Sequence, residues 1–184
     1  MKKQRRFSMF LSTLIFALCL TFIPIGAESE DVLTILHTND MHGRLNQKVD
    51  NNQSTRLSRL LAYKEAVKAD LMLDAGDAIQ GLPISNFDKG KNMISLMAKE
   101  IQYDAMAIGN HEFDFGFDHL KNTIIPIANE NGMELLSNNT YNANTNERIF
   151  TPYMIKEVNG KQIAIIGTTT PETAEKTHPD NIQG

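Results

Sequence analysis

Two patterns of apolar and polar positions alternate along this chain. Short continuous apolar runs predict buried strands at residues 32–37, 71–76 and 104–109. Between them, residues 54–69 and 91–101 repeat apolar side chains every three or four positions, as a helix with one buried face does. The second of these helices is expected to turn inward Met93, Ile94, Met97 and Ala98. The predicted order is therefore strand, helix, strand, helix, strand.

The second half of the chain continues with shorter elements. Residues 117–131 are predicted to be helical, with Pro126 ending or kinking the helix. A short strand is predicted at residues 134–137. Residues 153–169 have the pattern of a β-hairpin, and Asn159-Gly160 is a dipeptide that favours its turn.

Two polar stretches separate these elements and are predicted to be surface loops. They cover residues 46–53 and 138–148, and the second is rich in Asn and Thr. Strand–helix–strand units followed by a late hairpin are typical of an α/β fold with a mixed sheet. At 184 residues, the chain has room for one ordinary domain.

The first 27 residues have the layout of a secretory signal. A basic stretch is followed by an apolar run from Phe7 to about Ile25 and then by small residues up to Ala27. We expect cleavage after Ala27, which leaves residues 28–184 as the mature part. An uncleaved membrane anchor is the alternative, because the run is close to spanning length at roughly 18 residues. The sequence thus predicts export to the periplasm, cell wall or medium, with membrane contact only through this signal.

Charge and cysteine content narrow the possible partners. Without the four basic residues of the signal, the chain has 14 Lys and Arg against 22 Asp and Glu, a formal charge of −8. Such acidity argues against nucleic acid as a partner, because binding to its backbone depends on Lys and Arg. The only cysteine, Cys19, lies in the apolar run, so a metal would have to use oxygen and nitrogen ligands. The oligomeric state stays open.

Each of the three predicted strands leads into a loop of metal-ligand residue types. The loops contain residues 37–43 (HTNDMHG), 74–77 (DAGD) and 109–114 (GNHEFD). Because ligands gather at the carboxyl ends of strands in open α/β sheets, we expect one cluster that contains Asp40, His42, Asp77, Asn110 and His111. Each residue alone is more often a turn, cap or surface residue, but the repetition favours a metal site. Carboxylate, imidazole and amide ligands suit Mn²⁺, Fe²⁺ or Zn²⁺ better than Ca²⁺.

These loops also carry a family resemblance. Residues 33–45 (LTILHTNDMHGRL), 71–81 (LMLDAGDAIQG) and 103–114 (YDAMAIGNHEFD) resemble the signature segments of the 5′-nucleotidase family of calcineurin-like metallophosphoesterases. The resemblance extends through most of residues 32–172. It implies an α/β fold that is the amino-terminal portion of a four-layer αββα sandwich with mixed sheets, incomplete at the carboxyl end. Residues 28–184 would then be a partial domain of that kind.

The resemblance also implies a role for each motif residue at a centre of two divalent cations, with Mn, Zn and Fe as candidates. Asp40 and His42 would bind one ion, Asp77 would bridge both, and Asn110 would bind the second. A hydroxide between the ions would attack phosphorus.

The same resemblance implies a catalytic pair that does not bind metal. His111, oriented by Asp114, would stabilise charge on the transferring phosphoryl group. An alternative role for Asp114 is to cap the helix that begins near Gly116, and the two roles are compatible. Glu112 is interpreted as structural.

The function implied is hydrolysis of nucleotide phosphate esters outside the cytoplasm, of the 5′-nucleotidase or 2′,3′-cyclic nucleotide phosphodiesterase type. The family's later histidines and its nucleotide-recognition domain have no counterpart in this sequence, so we expect the chain alone to be inactive. Two alternatives stay open. One is a secreted metal-binding fragment without catalysis, and the other is a different two-metal hydrolase, acting on a sulfur ester or a sugar phosphate.

Overall fold

Short strands and helices alternate through the part of the chain that the computed structural model describes, residues 32–44, 46–49 and 53–183. The strands are β1 (Ile35–Thr38), β2 (Asn46–Val49), β3 (Gln53–Arg56), β4 (Leu71–Asp74), β5 (Ala105–Ala107), β6 (Glu134–Leu136), β7 (Tyr153–Val158) and β8 (Lys161–Ile166). The α-helices are α1 (Leu57–Val67), α2 (Pro83–Phe87), α3 (Lys91–Ser95), α4 (Phe117–His119), α5 (Ile125–Glu130) and α6 (Thr173–Lys176). Single 3₁₀ turns lie at His111–Phe113 and Pro179–Asn181.

The main sheet brings the loops that follow β1, β4 and β5 to one edge. Its order is β1-β4-β5-β6, and every pair in it is parallel. Antiparallel pairing occurs in two separate two-stranded sheets, β2–β3 and β7–β8. The predicted α/β fold with parallel and antiparallel strands is confirmed, and the two kinds of pairing belong to different sheets. Parallel strands end at a common edge, so residues distant in sequence meet there.

Strand β1 differs from the prediction in its burial. A buried strand was expected at residues 32–37, but β1 spans Ile35–Thr38 and its residues alternate between exposed and partly buried. Ile35 is 46% exposed. The strand lies at the end of the sheet order, whereas β4 has a neighbour on both sides and buries Leu71 and Met72. An apolar run therefore predicted the strand but not its position in the sheet.

The loop predicted at residues 46–53 was wrong. Strands β2 and β3 pair there as a hairpin, with Asn46 opposite Arg56 and Val49 opposite Gln53. The helix predicted at residues 54–69 consequently begins at Leu57, because the preceding residues belong to β3. Antiparallel pairing gives hydrogen-bond partners to backbone groups that would bind water in a loop. The pattern of side chains along the sequence does not reveal this pairing.

The helices follow the sequence pattern closely. Helix α3 continues through a π-helical turn at Leu96–Ile101, and together they bury the four predicted inward residues, Met93, Ile94, Met97 and Ala98. Helix α4 reaches α5 through a second π-helical turn, Leu120–Ile124, so the helix passes Pro126 without ending. Proline lacks an N–H and crowds the preceding turn, and the wider π-helical turn accommodates both effects.

The hydrophobic core lies between the main sheet and these helices. Met72 and Met106 from the strands meet Ile94, Leu120 and Ile124 from the helices, all fully buried. Burial of side chains of this size stabilises the fold by roughly 1.5–3 kcal/mol each.

The predicted hairpin at β7–β8 is confirmed. Asn159 and Gly160 both have positive φ, 52° and 76°, as a two-residue turn that matches strand twist requires. Among the described residues, no helix combines the length and apolar character needed to cross a membrane. The signal predicted at residues 1–27 lies outside the described residues.

Candidate metal centre

The loop after β1 is fastened to the loop after β4 by three backbone hydrogen bonds. The N–H groups of Asp40, His42 and Gly43 donate to the carbonyls of Gly76, Asp77 and Ala78 at 3.0, 2.9 and 2.8 Å. Asp40, His42 and Asp77 all have positive φ, between 47° and 58°. This left-handed region is unfavourable for side chains of L-residues, so tertiary contacts hold these three residues in place.

Three potential ligand atoms converge at this edge of the sheet. One ligand atom each from His42, Asp77 and His111 lies within 4.8 Å of the other two. The two imidazole ring centres are 4.9 Å apart and the rings are inclined at 72°. The three loops thus converge as expected from the strand ends. The resemblance implied that His111 acts on the phosphoryl group and does not bind metal, and one of its ring nitrogens lies within this group of potential ligand atoms.

His42 is oriented for coordination by a backbone carbonyl. Its Nδ1 lies 3.3 Å from the carbonyl oxygen of Gln80, which accepts a hydrogen bond and so favours a proton on Nδ1. Nε2 is then the nitrogen with a free lone pair. It faces Asp40, whose Oδ1 is 3.9 Å away. A ligand histidine typically donates its other N–H to a carbonyl or carboxylate in this way.

His111 has the same arrangement with a carboxylate. Its Nδ1 and Oδ2 of Asp114 are 2.6 Å apart, which leaves Nε2 available. The capping alternative for Asp114 is not observed, because the N-cap of α4 is Gly116 and the Asp114 carboxylate contacts His111. A carboxylate on Nδ1 fixes the tautomer and orientation of a working imidazole.

Asn110 supplies a test of whether a cation fits. Its side chain is buried, and among the described residues its amide nitrogen is the buried side-chain polar atom that lacks a partner. An unpaired buried polar group costs about 1–3 kcal/mol. Rotation of the amide by half a turn places oxygen at that position, where a cation would satisfy it. Carboxylates, imidazoles and this amide form a donor set that suits a divalent transition-metal ion.

Two buried acids lie behind the ligands. Burial raises the pKa of Asp74 to about 6, although hydrogen bonds from the Thr38 hydroxyl and the Gly76 N–H act to lower it. Burial likewise raises the pKa of Glu112 to about 7, although hydrogen bonds from backbone N–H groups, including that of Asp77, act to lower it. Ionised acids in this position favour a cation nearby.

The loop after β5 is also held from behind by a segment that sequence reasoning did not single out. The hydroxyls of Thr169 and Thr177 donate to the carbonyls of Ile108 and Asn110 at 2.7 and 2.9 Å. Further along, the amide of Asn181 donates to the carbonyl of Asp114 at 2.9 Å. The run of Thr residues at 168–170 was the available signal, but its partners lie about 60 residues earlier. Such long-range pairing has no sequence periodicity.

Comparison with known proteins places this geometry in a family. Residues 33–180 match the model of the calcineurin-like phosphoesterase family. A 5′-nucleotidase of Vibrio parahaemolyticus is 35% identical over 163 residues, which cover 85% of this chain and 28% of that protein.

Two solved structures extend the similarity to the fold. The 5′-nucleotidase precursor of Thermus thermophilus has a TM-score of 0.63 and 30% identity, and the match covers 80% of this chain and 31% of that one. The NAD nucleotidase of Haemophilus influenzae has a TM-score of 0.60 and 29% identity, covering 80% of this chain and 28% of that one. The chain spans less than a third of the length of each of these relatives. The motifs, the fold and these matches agree with the predicted resemblance, and the chain belongs to the calcineurin-like phosphoesterase family.

Proposed function

We propose that this chain contributes the amino-terminal ligands of a metal centre that hydrolyses phosphate esters of nucleotides. The observation that carries the proposal is the convergence of His42, Asp77 and His111 at the carboxyl edge of a parallel sheet. The relatives named as 5′-nucleotidase and NAD nucleotidase support a nucleotide as the substrate. Export through a signal at residues 1–27 is part of the proposal.

Two divalent ions are proposed at this centre, with Mn, Zn and Fe as candidates. Asp40 and His42 would hold one, Asp77 would touch both, and Asn110 would hold the second. When bound, such cations polarise phosphate oxygens and promote deprotonation of an attacking water. Asp77 suits a shared role because its Oδ1 accepts from the His111 N–H at 2.9 Å, which leaves Oδ2 free.

His111 and Asp114 would act on the phosphoryl group. With the proton of Nδ1 held by Asp114, Nε2 is the nitrogen available to the substrate. A hydrogen bond from this imidazole would stabilise the negative charge that develops on phosphate oxygens. Both side chains are partly buried, with 28% and 19% of their surfaces exposed, so water weakens their interaction only in part.

The second ion has few ligands among the described residues, which supports the expectation that the chain alone turns over little or no substrate. The test is calorimetric titration of the purified chain with Mn²⁺, for the wild type and Asp77→Ala. Hydrolysis of 5′-AMP and of bis-p-nitrophenyl phosphate is followed in the same samples. We expect the wild type to bind Mn²⁺, Asp77→Ala to lose binding, and neither to show turnover above background.

The outcomes separate the alternatives. Absence of Asp77-dependent Mn²⁺ binding would contradict the proposed metal centre. Metal-dependent turnover of 5′-AMP by the wild type would support the nucleotidase assignment and overturn the expected inactivity. Asp88→Ala is a matched control, because Asp88 caps backbone N–H groups of Gly90 and Asn92 at the start of α3. That variant should bind Mn²⁺ like the wild type.

A further inference from the structure

Glu112 lies between two of the ligand loops, and its side chain is completely buried. Its Oε2 accepts hydrogen bonds from the N–H groups of Asp77 at 2.9 Å and Gly109 at 2.7 Å. Its Oε1 accepts from Ala78 at 2.9 Å and, at a longer 3.4 Å, from Ile79. One carboxylate therefore binds backbone donors from the loop after β4 and from the loop after β5.

We infer that Glu112 is a positioning residue that sets the distance between Asp77 and the Asn110–His111 pair, an inference that rests on the proposed function. It does not touch the reacting atoms. By binding both loops at once, it determines where the ligands of one loop stand relative to those of the other.

The contact is reciprocal. While Glu112 of the later loop accepts from the Asp77 N–H, Asp77 of the earlier loop accepts from the His111 N–H through Oδ1. Each loop thus provides a carboxylate that accepts a hydrogen bond from the backbone of the other loop. Gly109 lies at the crossing, where a Cβ would stand 2.3 Å from Asp77 Oδ1 and 2.9 Å from Glu112 Oε2. The two loops therefore leave no room for a side chain at position 109.

The chemistry of the four donors requires glutamate. Both side-chain oxygens must accept, so the amide group of a glutamine would turn an N–H donor toward backbone N–H groups on one side. An aspartate keeps two acceptor oxygens but is one methylene shorter, so it would meet the same donors at longer distances. A fully buried carboxylate is costly unless hydrogen bonds compensate, and the compensation here comes entirely from the two ligand loops.

The experiment compares wild type, Glu112→Gln, Glu112→Asp and the matched surface variant Glu130→Gln, each as the complete chain. Mn²⁺ affinity is measured by calorimetry. In metal-free samples, NMR follows the amide protons of Asp77, Ala78 and Gly109 and the nuclear Overhauser effect between the rings of His42 and His111. Those rings are 4.9 Å apart between centres, so the effect reports ligand geometry without metal.

For Glu112→Gln we expect upfield movement of those amide protons, a weaker ring-to-ring effect and a Kd for Mn²⁺ raised about 10- to 100-fold. Glu112→Asp should show a smaller change in the same direction, and Glu130→Gln should match the wild type. A folded Glu112→Gln whose Kd and ring-to-ring effect equal those of the wild type would overturn the inference.

Two further outcomes also have a defined meaning. If circular dichroism shows that Glu112→Gln does not fold, Glu112→Asp decides, and wild-type values in that variant would overturn the inference. If the wild type binds no Mn²⁺, the proposed function fails. The ring-to-ring effect then tests Glu112 by itself, since its loss in the variant supports the positioning role and its retention refutes it.

Discussion

The two edges of the main sheet use acidic residues in opposite ways. At the amino ends of the strands, Asp104 accepts from the Met72 N–H and forms an ion pair with Lys156. Nearby, Asp70 accepts from the Thr34 N–H and the side-chain amide of Asn159. These acids join neighbouring strands to each other and to the β7–β8 hairpin.

At the carboxyl ends, the acids meet backbone N–H groups and histidines. Glu112 accepts from the loops of Asp77 and Gly109, and Asp114 accepts from His111. A lysine pairs with Asp104 at the amino edge, whereas backbone N–H groups and a histidine ring meet the acids at the carboxyl edge. Similar acids therefore stabilise the fold where a cationic side chain meets them, and they support the proposed cation site where none does.

The largest expected effect is on the carboxyl edge. Asp77→Asn should weaken Mn²⁺ binding by about 100-fold or more, because it removes charge from a direct ligand rather than from an outer residue. The metal-free variant should be as stable as the wild type or more so, since Asp77 raises the pKa of the buried Asp74 and Glu112 by repulsion. Calorimetric titration and urea unfolding measure the two quantities. If Asp77→Asn bound Mn²⁺ as tightly as the wild type, acids at the carboxyl edge would have no special role in cation binding.

A pH experiment sharpens the comparison through Asp74. Its folded pKa of about 6 exceeds the ordinary 3.8, so between these values the folded state holds a proton that the unfolded state lacks. Asp74 should therefore lower stability as pH rises from about 4 to about 6, on the order of 2 kcal/mol. Urea unfolding of the metal-free wild type and of Asp74→Asn at pH 4.5 and 7 measures this change in the free energy of unfolding. The Asn variant should lose this contribution and keep the one from Glu112, whose pKa of about 7 also lies in this window. Parallel profiles of the two proteins would contradict the assignment.

At the opposite edge, Asp104→Ala should destabilise the chain by about 2 kcal/mol, because it leaves Lys156 and the Met72 N–H without their acceptor. Mn²⁺ affinity should stay within about twofold of the wild type, since the substitution does not touch the ligand loops. Urea unfolding and metal titration of one preparation measure both. A large loss of affinity with little loss of stability would reverse the roles assigned to the edges.

The smallest effect is expected at the histidine pair. Asp114→Asn replaces the carboxylate on His111 Nδ1, so the ring should change the nitrogen that carries its proton, while Mn²⁺ binding should stay close to that of the wild type because neither residue is a proposed ligand. Nitrogen-15 shifts of the labelled imidazole distinguish the two tautomers directly. Asp118→Asn, at an exposed position in α4, is the control and should change neither quantity.

Much of the fold was predictable from local pattern. Residues 91–101 bury the four predicted side chains, and Asn159-Gly160 makes the predicted turn, because helical periodicity and turn conformation are properties of adjacent residues. The β2–β3 hairpin and the exposure of Ile35 were missed. Both depend on which strands are neighbours in a sheet, and residues adjacent in the sequence do not determine that arrangement.

By itself, the sequence determined the family and the strand-end motifs, and it led to the proposal of Asp40, His42, Asp77 and Asn110 as metal ligands. It did so because those residues follow apolar runs that must become strands. Only the tertiary structure decided the distances among His42, Asp77 and His111 and the hydrogen bonds by which Glu112 joins two loops. The physical reason is that these properties depend on backbone N–H groups and on distances across loops more than 30 residues apart, which residue identity alone does not specify.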